Sequence, residues 1–237
     1  MATKKKAAKK PAAAKRAKSA GAAGGGADAK RVAAILAGLD AAYPAASCEL
    51  KHDNPFQLLI STILSAQCTD VRVNDVAKTL YVKYPAPEAF AYATPSKLEQ
   101  EIRPTGFFRN KTKSIMGASK AIVEKFGGKV PRTREEMLTL PGVARKTANV
   151  VLGTAYGIAS GVVVDTHVLR LSKRLGLSQH EDPKKVEEDL MRVIPKEKWI
   201  LFSHQIIWHG RRICQARKPK CAECNLEPLC HSKDKTV

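Results

Sequence analysis

The fold is decided by the stretch LPGVARKTANVVLG, which occupies residues 140–153. Its Pro141-Gly142 pair is a strong turn signal, and Ala148 and Leu152 then recur at the spacing of one helical face. The pattern predicts two helices joined by a tight turn. The first backbone N–H groups of the second helix would be free, and with the helix dipole they suit an anionic phosphate. Turns between helices are also common where no phosphate binds, so the geometry alone leaves that function open.

Apolar residues recur at helical spacing along the rest of the chain, from about Lys30 onward. Two such segments begin near Val32 and Leu58. Further helices are predicted at residues 69–82, 95–102, 109–126, 144–157, 183–194 and 197–210. No region alternates apolar and polar residues between hairpin signals, and the β-branched run at residues 162–164 is too short to form a sheet alone. The sequence therefore predicts an all-α protein.

The chain is strongly basic, with 41 Lys and Arg against 22 Asp and Glu in 237 residues, a net charge of +19. Such a charge favours polyanions, nucleic acid above all, and predicts binding that weakens steeply with salt. The longest apolar runs are far shorter than the ~20 residues that a membrane-spanning helix needs, so we expect no membrane insertion. A hydrophobic fraction of 44% is enough for one domain or two small ones.

Residues 1–29 form a low-complexity segment of Lys, Ala and Gly with almost nothing large to bury. We expect a disordered basic tail, because packing cannot offset the entropy lost on ordering it. The tail is either an arm for non-specific DNA binding or targeting, or a solvated extension, and the sequence favours neither. A mitochondrial presequence fits less well, since the segment is rich in Lys rather than in Arg and Ser.

Four of the six cysteines lie within 17 consecutive residues, in the spacing Cys-x6-Cys-x2-Cys-x5-Cys: Cys214, Cys221, Cys224 and Cys230. This clustering favours a metal site over a disulfide framework, and with it a reducing, intracellular compartment. Four thiolates suit either a tetrahedral zinc or a cubane iron–sulfur cluster. Zinc ribbons usually offer two Cys-x2-Cys pairs, and this segment has one, which makes zinc the less favoured alternative.

Lys146 and Asp165 are the candidates for covalent chemistry. Lys146 falls on the first turn of the second hairpin helix, where the neighbouring Arg145 and the helix dipole would favour a neutral, nucleophilic amine. A solvated or phosphate-binding lysine gives the same pattern. Asp165 follows an apolar run and precedes a helix, so the pattern alone predicts an N-cap. A carboxylate held in a cap stays ionised and can still stabilise positive charge on a sugar.

Two of these segments resemble motifs of a known family. LPGVARKTANVVLG is similar to the helix-hairpin-helix of DNA glycosylases, and VVVDTHVLRLSKRLGL, at residues 162–177, resembles the Asp-Thr-His segment of endonuclease III. The resemblance implies that Lys146 and Asp165 are the catalytic pair. It implies attack of the lysine amine on C1′ of a damaged nucleotide, loss of the base, a Schiff base, and β-elimination that cuts the strand 3′ to the lesion. One departure is Ala144, where many relatives have glycine; the alanine is costly only if a positive φ is required there.

Further stretches match the same family and supply candidate DNA contacts. LSAQCTD, at residues 64–70, resembles the loop whose glutamine fills the gap left by an extruded nucleotide, and Gly106-Phe107 resembles an apolar wedge facing the opposite strand. A helix-end glutamine and a core phenylalanine are the alternatives. The cysteine spacing matches the family's 4Fe-4S loop, whose basic residues would meet phosphate. The candidate DNA contacts are Gln67, Phe107, Gly142, Ala144, Arg145, Thr147, His167, Arg217, Lys218 and Lys220.

The resemblance covers about residues 30–232 and implies an architecture of two helical lobes with a DNA cleft between them. The expected division is a tail at 1–29, an N-terminal helix at 30–53 that belongs to the cluster lobe, a six-helix lobe with the hairpin at 54–160, and C-terminal helices with the 4Fe-4S loop at 161–237. Lys146 would come from the six-helix lobe, and Asp165 from the region where the chain enters the other.

The function implied is that of a bifunctional DNA glycosylase and AP lyase of base excision repair that removes oxidised pyrimidines from duplex DNA. One alternative is a monofunctional mismatch glycosylase, but such relatives usually lack a lysine at the position of Lys146. Another is a non-catalytic helix-hairpin-helix DNA-binding module, which leaves the Lys146 and Asp165 motifs as coincidence. We expect a monomer that acts on duplex DNA with damaged pyrimidines or abasic sites. Its expected location is the cytoplasm of a bacterium, or the nucleus or mitochondrion of a eukaryote.

Overall fold

The structure is a computed structural model, and it describes residues 28–236. Over these residues the chain is all-α, with eleven α-helices, four short 3-10 helices and no strand, which confirms the predicted fold class. None of the described helices is long and apolar enough to span a membrane. The predicted tail lies, apart from its last two residues, outside the described residues. The α-helices are α1 Ala29–Ala42, α2 Pro55–Leu64, α3 Asp70–Lys83, α4 Pro87–Ala91, α5 Pro95–Ile102, α6 Phe108–Phe126, α7 Arg134–Met137, α8 Arg145–Tyr156, α9 Thr166–Arg174, α10 Pro183–Val193 and α11 Trp199–Arg212.

The helices predicted from periodicity match the observed ones closely. α3, α5, α6, α8 and α10 begin and end within one residue of the predicted bounds. α11 begins two residues later than predicted, because Lys196–Lys198 forms a 3-10 helix instead. One helix had not been predicted, α4, because a segment of five residues is too short to show a helical period. α7 is the first helix of the predicted hairpin, and its bounds had not been predicted. α7 did carry a local signal, since Thr133 accepts a hydrogen bond from the Glu136 N–H in a capping-box pattern.

The first hydrophobic core is built from α2 to α8. α2 runs through its middle, and nine of its ten residues are buried. α2 packs against α8, and α4 packs against α6. Val151 and Leu152 of α8 are completely buried in this core. The second hairpin helix is therefore fixed by the central helix of the core, which gives its first turn a defined position.

The second hydrophobic core joins the two ends of the described chain. Val32 and Leu39 of α1 pack with residues of α9, α10 and α11, among them Phe202. The cysteine segment joins them through Leu226, which is completely buried. It lies so close to α1 that a β-carbon on Gly38 would be 2.6 Å from the Leu226 Cδ2. The presence of two hydrophobic cores agrees with the two predicted lobes. The residue boundaries predicted for the domains remain a prediction.

The hairpin turn requires glycine at one position and tolerates alanine at the other. Gly142 has a φ of +75°, and a β-carbon there would lie 2.4 Å from the Ser114 Cβ of α6. Ala144 has a φ of −98° and a ψ of 172°, extended backbone that any residue adopts, so alanine in place of the usual glycine is not strained. No side chain of the described residues caps α8, which leaves the N–H groups of its first turn available to a ligand.

Gly142→Ala should lower the free energy of unfolding by about 2–4 kcal/mol. The alanine would need a left-handed backbone conformation, and its β-carbon would collide with Ser114. Gly157→Ala is the matched control. Gly157 has a φ of +66° and no atom within 4 Å of the position of a β-carbon, so only the backbone cost of about 1 kcal/mol remains. Denaturant unfolding followed by circular dichroism measures both losses. Equal losses would contradict the close approach of Ser114 to the turn.

Candidate active site

Lys146 and Asp165 line one pocket where the two cores meet. Leu50 and Val150 reach this pocket from the first core, and Ile207 reaches it from the second. The two candidates for chemistry are 19 residues apart in the sequence. The structure thus brings together an amine from the hairpin helix and a carboxylate from the turn that follows it.

Lys146 is the second residue of α8 and is exposed. Ala148, Val151 and Leu152 of the same helix face the first core, and at 100° per residue Lys146 lies on the opposite side of the helix. The amine is therefore carried by a helix whose other face is held rigidly. Its backbone N–H belongs to the uncapped first turn that would receive a phosphate.

Asp165 is the N-cap of α9, as the sequence pattern predicted. Its Oδ1 accepts a hydrogen bond from the Val168 N–H at 2.8 Å, and the side chain is half-buried. The dipole at the N-terminus of a helix favours a negatively charged group at this position. The cap orients the side chain at the wall of the pocket, so capping and participation in chemistry are compatible.

His167, a predicted DNA contact, lies beside Asp165 in the first turn of α9. Its Nδ1 is 3.1 Å from Nη2 of Arg170, and because a guanidinium only donates, the imidazole accepts through this nitrogen. Burial lowers the pKa of His167, which favours the neutral ring that accepts this hydrogen bond. Arg170 also donates to the Gly210 carbonyl at 3.0 Å, which ties α9 to α11 behind the pocket.

Arg145, expected to influence Lys146 and to contact DNA, is paired with a carboxylate. Its Nε donates to Glu187 of α10 at 2.9 Å. Glu187 is only 3% exposed and also accepts from Asn149 Nδ2 at 2.8 Å. Sequence reasoning missed Glu187; the available signal was its place beside the apolar Val186 on the buried side of α10. The pair joins the hairpin helix to the second core.

The wall of the pocket also carries a charged network that sequence reasoning missed. Arg211 of α11 donates to Glu49 and, at 2.7 Å, to Asp70, the first residue of α3. All three residues line the pocket. These ion pairs link α11 to α3 and to the segment before α2, so the pocket is closed on this side by contacts between distant parts of the chain.

Three non-glycine residues in the described part of the chain have a positive φ: Gln67, Phe107 and Lys218, at 52°, 49° and 49°. All three are among the predicted DNA contacts. Gln67 is exposed, and Phe107 is 63% exposed, so the alternative of a core phenylalanine is wrong. Such a backbone is unfavourable for residues other than glycine and is often retained at functional sites.

Comparison with known proteins places this arrangement in a family. The model of the HhH-GPD superfamily of base excision DNA repair proteins matches residues 60–196. Endonuclease III of Synechocystis sp. is 56% identical over 203 residues, which cover 86% of this chain and 93% of that protein. Endonuclease III of Bacillus subtilis is 50% identical over 194 residues, 81% of this chain and 88% of that protein. The chain belongs to the endonuclease III family.

Solved structures of endonuclease III agree with this assignment. A non-covalent endonuclease III–DNA complex matches with a TM-score of 0.82 and 45% identity, over 86% of this chain and 95% of that one. A trapped covalent endonuclease III–DNA intermediate matches with the same values. As a member of the family, the chain binds DNA and is a bifunctional DNA glycosylase and AP lyase of base excision repair.

In this endonuclease III family member the four clustered cysteines surround one cavity, next to the second core. All four thiols are half-buried. Arg174 Nη1 donates to the Cys214 Sγ at 3.2 Å, and His209 Nε2 lies 3.4 Å from the Cys224 Sγ. Among the described residues, no group of three or more His, Cys, Asp or Glu is arranged to hold a single metal ion.

The remaining predicted contacts lie on the surface. Arg217, Lys218 and Lys220, between the first two cysteines of the cluster, are all exposed. Thr147 is partly exposed on the first turn of α8. Lys220 has a weak exposed partner, Glu223, at 3.7 Å. These cations are therefore accessible to a phosphate backbone.

Proposed function

We propose that Lys146 is the nucleophile and Asp165 its carboxylate partner in the removal of a damaged pyrimidine from duplex DNA. The observation that carries this proposal is their convergence on one pocket between the two cores. The uncapped first turn of α8 would bind a phosphate of the damaged strand, and the same turn carries Lys146. A nucleotide extruded beside that phosphate would enter the pocket within reach of both side chains.

The chemistry follows from an amine and a carboxylate that line the same pocket. The neutral amine of Lys146 attacks C1′, the bond from C1′ to the base breaks, and the base leaves with a proton. Opening of the sugar ring gives a protonated Schiff base, which acidifies the C2′ proton. Its loss expels the 3′ phosphate by β-elimination, and water then releases the lysine. Asp165 would stabilise the positive charge that develops on the sugar and help to deprotonate the amine.

The DNA contacts follow the same geometry. Gln67 would fill the gap left by the extruded nucleotide, and Phe107 would be the apolar wedge on the opposite strand. Their exposure and left-handed backbone support this role, because each side chain projects from a constrained loop. Gly142 and Ala144 allow close approach of the DNA backbone to the hairpin. Thr147, His167 and the partly exposed edge of Arg145 would contribute polar contacts.

Oxidised pyrimidines are the proposed substrates. The relatives in Synechocystis sp. and Bacillus subtilis are named endonuclease III, and an endonuclease III–DNA covalent intermediate has been trapped. The pocket of this chain is lined by apolar side chains, among them Leu50 and Ile207, and also by the charged network of Arg211, Asp70 and Glu49. Such a wall suits a pyrimidine whose ring has gained polar substituents and lost its planarity.

The four cysteines are proposed to hold a 4Fe-4S cluster. Four thiols that line one cavity suit such a cluster, and the single Cys-x2-Cys pair is less typical of zinc ribbons. The Arg174 N–H at Cys214 would stabilise a thiolate ligand. The bound cluster would supply a rigid support for the loop that carries Arg217, Lys218 and Lys220. The glycosylase and lyase steps require no redox change.

The protein is proposed to act as a monomer on chromosomal DNA in the cytoplasm of a bacterium. Both halves of the pocket come from one chain, so a second copy is not needed to complete the site. The similar proteins named above are bacterial. The net charge of +19 would hold the enzyme near DNA at low salt.

Borohydride trapping on a duplex with one thymine glycol tests the nucleophile. The wild type should form a covalent adduct, and Lys146→Gln should reduce its formation by about a thousandfold or more, because no amine remains to form the Schiff base. Asp165→Asn keeps a side chain that caps α9 as well as aspartate does, and should slow the reaction about 10–100-fold through the lost charge.

Lys184→Gln is the matched control, since Lys184 is an exposed lysine beside the same hairpin helix. It should trap like the wild type. Base release without trapping would indicate a monofunctional glycosylase, and DNA binding with neither reaction would indicate a non-catalytic module. Full trapping by Lys146→Gln would contradict the proposed role of Lys146.

Cys221→Ser tests the cluster. The wild type should be yellow-brown with broad visible absorbance, since iron and sulfur absorb there and zinc does not. Cys221→Ser should lose this absorbance and bind DNA about tenfold more weakly, as the basic loop loses its support. Cys68→Ser, at a cysteine outside the cavity, should keep the colour. A colourless wild type that contains zinc, or a Cys221→Ser protein with full absorbance, would contradict the assignment.

A further inference from the structure

A buried lysine lies between the two loops that are proposed to enter the duplex. Lys111, in the first turns of α6, is only 4% exposed. Its Nζ donates to the carbonyl oxygens of Leu64 and Thr105, both at 2.7 Å. No carboxylate among the described residues forms an ion pair with it. A buried ammonium without a carboxylate partner is unusual, and here its charge is balanced by two backbone dipoles.

The two acceptors belong to the segments that carry Gln67 and Phe107. Leu64 is the last residue of α2, three residues before Gln67. Thr105 ends the 3-10 helix Arg103–Thr105, two residues before Phe107. Carbonyls at the C-terminal end of a helix lack an intrahelical partner and carry partial negative charge, so they suit a buried cation. One ammonium group thus connects the starts of both loops.

Both loops have backbones that need to be held. The backbone of Gln67 and Phe107 is in the left-handed conformation, with φ values of 52° and 49°. This conformation costs free energy for residues other than glycine. The Lys111 backbone N–H also donates to the Phe107 carbonyl at 3.1 Å. Burial lowers the pKa of the Lys111 amine, while its two short bonds to carbonyls keep it a donor. Without the amine, both carbonyls would be buried and unpaired, and the loops could move independently.

We propose that Lys111 is a positioning residue that fixes the separation of the Gln67 and Phe107 loops, so that both side chains enter the duplex together. This inference rests on the proposed role of those two residues as gap filler and wedge. Lys111 touches neither the reacting atoms nor the pocket with Lys146. Its replacement should therefore impair extrusion of a stacked nucleotide and leave the chemistry at an unstacked one intact.

The test compares single-turnover cleavage of an abasic site in a paired duplex and in a mismatched bubble, where the nucleotide is already unstacked. Lys111→Met should slow cleavage in the duplex about tenfold or more and cleavage in the bubble by less than about twofold. A 2-aminopurine placed opposite the site should become more fluorescent when the wild type binds, and Lys111→Met should abolish most of that increase. Lys113→Met, at an exposed lysine two residues further along α6, is the matched control and should resemble the wild type.

Rates are measured well below the unfolding temperature of each variant. Lys111→Gln provides a second, milder variant, because its amide can still donate to one carbonyl, and it should give an intermediate ratio of the two rates. Equal losses on both substrates would indicate a merely structural role for Lys111 and would overturn the inference. Unchanged rates would also overturn it.

Gln67→Ala and Phe107→Ala separate this inference from the proposed function. If both lower the fluorescence increase and the duplex rate while Lys111→Met does not, only the positioning role of Lys111 fails. If neither has an effect, the assignment of the two loops as gap filler and wedge fails, and the inference fails with it.

Discussion

The active site depends on a buried carboxylate between the two cores. Glu187 of α10 accepts hydrogen bonds from Arg145 and Asn149, both on the hairpin helix. The backbone of Gly161 packs against Glu187, since a β-carbon on Gly161 would lie 2.3 Å from the Glu187 Oε1. The first turn of α8, which carries Lys146, therefore has a fixed place relative to the second core. An unpaired buried charge is far more costly than a paired one, so the interaction favours this arrangement of the cores over alternatives.

Around this junction the protein separates rigid support from exposed recognition. The helices that carry or adjoin Lys146 and Asp165, the proposed catalytic pair, are buried on their inner faces. Several of the proposed contacts with DNA project from short loops, and three of these, Gln67, Phe107 and Lys218, adopt backbone conformations that residues other than glycine avoid. Among the described residues, a positive φ at residues other than glycine is confined to these loops. Each loop adjoins a stabilising feature, namely the Lys111 amine for the first two and the cysteine cavity for the third.

The sequence predicted what depends on local pattern. The long helices, the Pro-Gly hairpin and the cap at Asp165 all follow from spacing and residue type within one segment. The short helix α4 was missed because its five residues show no helical period. Glu187, Lys111 and the network of Arg211 were missed for another reason. A charged residue is normally exposed, and each of these is partly or wholly buried with at least one partner that is 38 or more positions away. Only the folded chain reveals such partners.

The central claim is that the two cores assemble one active site through Glu187. Glu187→Gln, compared with Glu188→Gln at the exposed neighbouring position, tests it most directly. Glu187→Gln should lower the free energy of unfolding by about 2 kcal/mol, which corresponds to a fall of about 4–8 °C in Tm. This loss is smaller than for a fully buried pair, because the partner Arg145 is about one-third exposed. Single-turnover cleavage of an abasic duplex should also slow about tenfold, because the hairpin helix shifts. A Glu187→Gln protein with the Tm and rate of Glu188→Gln would contradict the account.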